Sequence, residues 1–417
     1  MNLGQLTKGI RTRRRAFERR HALPLFTNAR FLPDRSRAPK APDAWTPYTT
    51  PAPPGYEDVP GERRHPDAEQ QAAAEAPLHE FFTLHHEAAE FMVDHGQAYI
   101  RPIVPRLAGA IHHLRQVAAK KEAASRSITD PVELTAALRA EAERLGMSRI
   151  GITKNDPLYS FKDSDAEQLE NVIVCVQEQD WEMTQTAPSN RAEMGAFHGY
   201  VEGLNRSSDL AAFLKDQGYK TAPQGLAGDG IMIHYAVAAG LGQLGINGQL
   251  LTPEAGSRCR LVLITTEAPL VCDEPVDYGI HKVCDECQAC VRNCPVGAIP
   301  KSRKEYRGVE KAKLNSARCL PVVVQVAGCA ICMKVCPVQR YGLEAILEHR
   351  EKTGEILGIG SDELEGYDWP VDGRHYGPGE KPTVGPEIMQ HKDLVYDPKR
   401  TQPAPGVRPT TWVGDLS

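Results

Sequence analysis

Cysteine is the strongest constraint on this chain. Of its 417 residues 11 are cysteines, and all but Cys175, Cys259 and Cys272 lie between Cys284 and Cys336. The stretch "CDECQACVRNCP", residues 284–295, is a C-x2-C-x2-C-x3-C-P run. "CAICMKVCP", residues 329–337, supplies Cys329, Cys332 and Cys336 ahead of a second proline, and Cys319 lies between the two motifs. Clustered cysteines in a large cytoplasmic chain hold metal more often than disulfides. Eight thiolates make two [4Fe-4S] cubanes of four ligands each. Short spacing lets one tight loop reach three irons of one cubane, and the fourth cysteine of the run then turns to the other cluster. Cluster 1 is therefore expected on Cys284, Cys287, Cys290 and Cys336. Cluster 2 is expected on Cys294, Cys319, Cys329 and Cys332, with Cys319 at the loosest spacing. A zinc ribbon also uses C-x2-C pairs, but the crossed spacing and the two C-P endings favour cubanes.

The rest of the chain is ordinary in composition, with 41 % hydrophobic and 25 % charged residues. A formal net charge of −5 gives no global reason to expect binding to nucleic acid or a membrane surface. No apolar run reaches the roughly 18 residues of a membrane span. Arg14-Arg15-Ala16-Phe17 loosely resembles a twin-arginine export signal, but the apolar stretch that should follow is missing. The expectation is a cytoplasmic protein.

Residues 1–69 read as an arm rich in arginine and proline, because proline fixes φ and removes a donor. Residues 70–129 read as helical with breaks. His79, His85 and His86 do not form an H-E-x-x-H motif and read as surface or packing residues. At Asp130-Pro131-Val132-Glu133 an N-cap acid, a proline at the first helical position and a capping-box glutamate predict a helix start. "SRIGIT", "NVIVCVQ" and "CRLVLITT" read as strands, and "SSDLAAFLKDQGY" as a helix with its own capping signal. Helices alternating with apolar strands predict an α/β domain over 130–275. Residues 276–345 hold the cysteines, and 346–417 read as an extended tail whose aromatics cover a site or anchor the segment.

Residues 240–245, Gly-Leu-Gly-Gln-Leu-Gly, are formally a G-x-G-x-x-G. A dinucleotide fingerprint follows a strand and opens a helix. Here "GIMIHYAVAAG" reads as a helix and strand character follows, so a nicotinamide site is disfavoured. The glycines suit a place where backbone approaches something flat and large.

The run "AAGLGQLGINGQLLTPEAGSRCRLVLITTEAPL", followed at once by the cysteine module, resembles the cobalamin-dependent reductive dehalogenases and is similar to the related epoxyqueuosine reductases of tRNA modification. The resemblance covers about residues 130–345. It implies a nitroreductase-like α/β domain that binds cobalamin base-off and a ferredoxin-like domain with two [4Fe-4S] clusters that feeds it electrons. It also implies Gly240, Gly242, Gly245 and Asn247 near the cobalamin. The D-x-H-x-x-G signature of cobalt ligation by histidine is absent from the sequence, in agreement.

In the epoxyqueuosine branch an Arg-Asp-Tyr-His stretch carries an acidic proton donor. The matching stretch here is "FHGYVEGL", with Gly199 in place of the aspartate and Tyr200 retained. The dehalogenase branch uses a tyrosine donor supported by a basic residue. Tyr200 matches the first; Arg258 in "GSRCR" is the candidate for the second, with Arg260 the alternative. The resemblance thus implies reductive cleavage of a carbon–halogen bond in a small organohalide, fed by a ferredoxin, a flavodoxin or a reductase. Two other readings stay open: an epoxyqueuosine-reductase-like enzyme acting on tRNA, and an iron–sulfur electron carrier without cobalamin.

Overall fold

The computed structural model describes residues 103–156, 169–225, 230–306, 309–312, 314, 319, 322–323, 326 and 328–384. The arm, the three histidines at 79–86 and the tail beyond 384 lie outside the described residues. Helices α1 (Ile103–Ala119) and α2 (Pro131–Arg144) precede strands β1 (Arg149–Lys154) and β2 (Asn171–Glu178). Helix α3 (Trp181–Gln185), helix α4 (Asn190–Asp216), strand β3 (Thr221–Pro223) and helix α5 (Met232–Ala238) follow. Two short strands, β4 (Gln243–Leu244) and β5 (Leu250–Leu251), lead to β6 (Cys259–Thr266).

Strands β1, β2, β6 and β3 form one sheet in that order, every pair antiparallel. Helices do alternate with strands, yet no βαβ crossover results, because each neighbouring pair runs in opposite directions. Both faces of this sheet are covered. Ile173, Cys175, Val262 and Ile264 pack under α1, α2 and α4, and Val172, Val174, Val176 and Leu263 pack under α5 and the segment after it. That is why "NVIVCVQE" is apolar throughout rather than alternating, and buried at all but its last residue.

The start of α2 follows the sequence: the Asp130 side chain accepts from the Glu133 N–H at 2.8 Å, with Pro131 at the first position. The start expected at "SSDLAAF" does not exist. Helix α4 runs unbroken for 27 residues from its cap at Ser189. Ser207 and Ser208 lie in its buried interior, where both hydroxyls bond back to the Leu204 carbonyl, at 3.2 and 2.7 Å. A mid-helix serine satisfied this way resembles a cap in sequence.

The cysteine module forms a second core. Helices Ile280–Cys287, Ala289–Asn293, Ile331–Lys334, Pro337–Tyr341 and Leu343–Thr353 surround it. Tyr367, Trp369 and Tyr376 of a C-terminal hairpin (Tyr367–Trp369 with Arg374–Tyr376) pack into the same core as Cys284, Cys287 and Cys336. The segment after 345 thus seals the cysteine module. Among the described residues no helix is long and apolar enough to cross a membrane.

Candidate active site and cluster ligands

The eight cysteines gather as two sets of four. Cys284, Cys287, Cys290 and Cys336 line one partly open recess, together with Ile246 and Asn247. Cys319, Cys329 and Cys332 all interact electrostatically with Cys294. The members of each expected set are thus brought near one another, and Cys290 of the first also interacts with Cys332 of the second. Among the described residues no three His, Cys, Asp or Glu side chains converge on a point fit for one ion. Thiols ringing a recess suit a cubane better than a single zinc.

Local backbone prepares these sets. The non-glycine residues with positive φ, among those described, are Gln288, Cys329 and Ala330, all in the cysteine loops. This left-handed geometry turns successive N–H groups inward to favour negative charge. N–H groups of Ile246, Ala289 and Ile331 reach the sulfurs of Cys284, Cys287 and Cys329. Ala298 N–H donates to Cys294 Sγ at 3.2 Å. Such bonds are a lever on cluster potential. Burial pushes the free thiols of Cys287, Cys319 and Cys332 up to about 12, so metal loading must expel protons.

The glycine run has an internal explanation. Gly240 has φ +64°, and a Cβ there would stand 2.5 Å from the Glu274 carbonyl oxygen. At Gly242 it would meet the Leu251 carbonyl oxygen at 2.2 Å. The β4–β5 hairpin therefore demands Gly242, the segment after β6 demands Gly240, and the run follows α5 rather than a strand, unlike a nucleotide fingerprint. Asn247 accepts from the Gln249 N–H at 3.1 Å and faces the recess of Cys284.

Helix α4 carries Tyr200, which packs at the edge of the sheet core, its ring 6.5 Å from that of Phe197. Arg260, at the start of β6, lies over that ring, its guanidinium carbon 4.8 Å from the centroid. Arg258 is engaged elsewhere. It donates to the Gln179 carbonyl at 2.5 Å and pairs with Glu178 at 3.2 Å. The structure thus joins Tyr200 to Arg260, the alternative, and ties Arg258 to the end of β2. Gly199 lets Arg260 pack closely on the helix, since a Cβ there would lie 3.2 Å from Arg260 Cγ. Two residues had drawn no notice in the sequence. Gln179, with its amide oxygen turned to Arg260, accepts from both terminal nitrogens at 2.8 and 3.1 Å. Glu193, seven residues before Tyr200 on α4, packs against Gly328, beside Cys329. Burial raises its carboxyl above the ordinary range, and Arg260 opposes that. Glycines 195, 199 and 203, at i+4 spacing, were the sequence signal that this helix face approaches something closely.

A 4Fe-4S dicluster domain model matches residues 283–340, which contain every cysteine of both sets. The tetrachloroethene reductive dehalogenase of Sulfurospirillum multivorans is 28 % identical over 319 residues, covering 64 % of this chain and 63 % of that protein. The chain is a relative of the reductive dehalogenases. A solved reductive dehalogenase, described with a mechanism for B12-dependent dehalogenation, superposes with a TM-score of 0.53 at 21 % identity, over 76 % of this chain and 50 % of that one, and shows the shared fold. The epoxyqueuosine reductase of Synechococcus sp. (strain RCC307) is 34 % identical over 117 residues, covering 25 % of this chain and 33 % of that protein. The chain therefore spans less than two thirds of the length of these relatives.

Proposed function

We propose that this chain is a reductive dehalogenase-type oxidoreductase. Two [4Fe-4S] clusters would pass electrons to a base-off cobalamin in a nitroreductase-like domain, and an organohalide would be the substrate. The observation that carries the reading is Tyr200 beneath Arg260, on a helix whose Glu193 touches the loop of Cys329. A proton donor and an electron-delivery module meet at one seam.

The seam also suits a group edged with amides. Ser257 Oγ and Gln339 Nε2 are buried there and, among the described residues, have no hydrogen-bond partner. Buried polar atoms left unpaired are costly and invite a polar partner. Gly256, next to Ser257, packs on the Gln339 backbone, since a Cβ on it would stand 2.7 Å from the Gln339 backbone nitrogen. Ser257 and Gln339 would hold the edge of the cobalamin, which supplies the reducing cobalt when bound. The eight cysteines hold the clusters. The overall change is R–X + 2e⁻ + H⁺ → R–H + X⁻. Tyr200 supplies the proton from its phenolic O–H, and Arg260 stabilises the phenolate that is left, as a neighbouring cation favours an anion. A side chain at position 199, where the epoxyqueuosine branch carries its aspartate, would crowd Arg260, since a Cβ there lies 3.2 Å from Arg260 Cγ. The electron donor would be a cytoplasmic ferredoxin, flavodoxin or reductase.

The test is anaerobic reconstitution with iron, sulfide and cobalamin, followed by a halide-release screen across aliphatic and aromatic organohalides. Halide release dependent on cobalamin supports the reading. Full cluster loading with no cobalamin retained would leave an electron carrier instead.

A further inference from the structure

We infer that Gln179 is the positioning residue that holds Arg260 on the Tyr200 ring, an inference that rests on the reading of Tyr200 as proton donor. Gln179 follows the last residue of β2 and is 4 % exposed. Its backbone is taken up by Arg258: the Gln179 N–H donates to the Arg258 carbonyl at 3.1 Å, and the Gln179 carbonyl receives the Arg258 guanidinium. Its side chain is left for Arg260. One residue thus sorts two arginines, sending Arg258 to the strand end and Arg260 to the tyrosine.

The grip on Arg260 is narrow. Its terminal nitrogens meet the Gln179 amide oxygen, and one also meets the Cys259 carbonyl at 3.0 Å. Its Nε is buried and, among the described residues, has no partner. An amide oxygen that accepts from both terminal nitrogens restrains the guanidinium over the ring, and a planar fork matches such an acceptor. Glu193 on α4 competes for the same charge. α4 also carries His198 and the Glu202–Arg206 ion pair, whose Arg206 bonds the Gln177 amide oxygen on β2, and the Glu178–Arg258 pair closes the end of that strand. With the amide removed, Arg260 is free to leave the ring for Glu193.

The experiment uses the full chain with 3-fluorotyrosine incorporated and clusters reconstituted, the Tyr200 ¹⁹F resonance being assigned by its loss in Tyr200→Phe. Gln179→Leu is expected to shift that resonance as Arg260→Leu does, and the double variant to shift it no further. Gln179→Glu, which keeps an acceptor oxygen, should leave the resonance near its parent position. In the cobalamin-loaded enzyme Gln179→Leu should lower kcat about 10- to 100-fold at unchanged KM, the scale of losing one hydrogen bond to a charged group. Should Gln179→Leu not fold, Gln179→Asn, whose shorter amide falls short of Arg260, takes its place. A resonance moved by Arg260→Leu but not by either Gln179 variant overturns the inference. A parent that releases no halide overturns the functional reading alone, since the resonance still reports where Arg260 sits.

Discussion

The sheet module and the cysteine module are held together by different physics. The sheet core is aliphatic: Ile152, Ile173, Leu204, Leu210 and Ile264 are fully buried, and nothing at its centre needs a ligand. The second core has Cys284, Cys287, Cys290, Cys294 and Cys336 among its own buried residues. Its helices are short, and its loops use left-handed backbone to aim N–H groups at sulfur. The first module is stabilised by apolar burial, at about 25 cal/mol per Å². The second is organised around clusters that, when bound, supply much of its folding energy.

The largest expected effect exploits this difference. Stripping iron, or replacing Cys294 by Ser, should abolish amide-exchange protection over 280–299 and 331–346 while β2 and β6 stay protected. Iron content and residue-resolved exchange are the measurements. Loss of protection in β2 and β6 in step with the cysteine loops would mean one cooperative unit and end the comparison.

Next comes the seam between the modules. Tyr200→Phe keeps the ring against Phe197 and Arg260 but deletes the proton. Turnover should fall by ~10²–10⁴-fold, the usual worth of general acid catalysis, with iron content and melting temperature unchanged. Activity within a few fold of the parent would make Tyr200 a packing residue.

Gly242→Val sharpens the comparison at smaller scale. Its Cβ would strike the Leu251 carbonyl, and Leu251 lines the recess of Cys284. The variant should cost about 1–3 kcal/mol of overpacking strain and lower cluster loading as well as any cobalamin retention. Cobalamin loss with full iron content would instead return Gly242 to the cofactor's edge.

How much of this was legible in the sequence follows the same divide. The strands were readable because both faces of β2 are covered, so its apolar run is unbroken. The two-cluster module was readable because its cysteines stand in two tight C-x2-C runs, each ending in C-P. What failed was non-local. Ser207 and Ser208 resemble a cap but bond within one long helix. Arg258 and Arg260 are equivalent in local pattern, and the choice between them is made by Gln179, some 80 residues earlier. Gly240 faces Glu274, and Gly242 and Gly245 face Leu251, contacts no local motif encodes. The aromatics after 366 looked like an arm and proved to be the lid of the cysteine core.

The smallest expected effect tests how that lid is fastened. His375, on the second strand of the hairpin, contacts Asp368 through Nδ1 and Asp362 through Nε2, each at 2.7 Å. The bond to Asp362, then that to Asp368, raises its imidazole above 6.5. A group raised on folding contributes stability that is fully present below its unfolded value and lost as pH rises through the folded one. The clasp should therefore hold at pH 6 and weaken in alkaline solution. His375 is half exposed, so solvent screening limits the effect to about 0.2–1 kcal/mol, the range of surface pairs. Lys334, pushed down to about 8 by burial, also loses its charge as pH rises, so the comparison must be made against His375→Gln. Parent and variant should differ in exchange rates of the 367–376 amides at pH 6 and converge in alkaline buffer, with β2 and β6 indifferent throughout. Equal rates at pH 6 would show that Tyr367 and Trp369 fasten the lid by apolar burial alone.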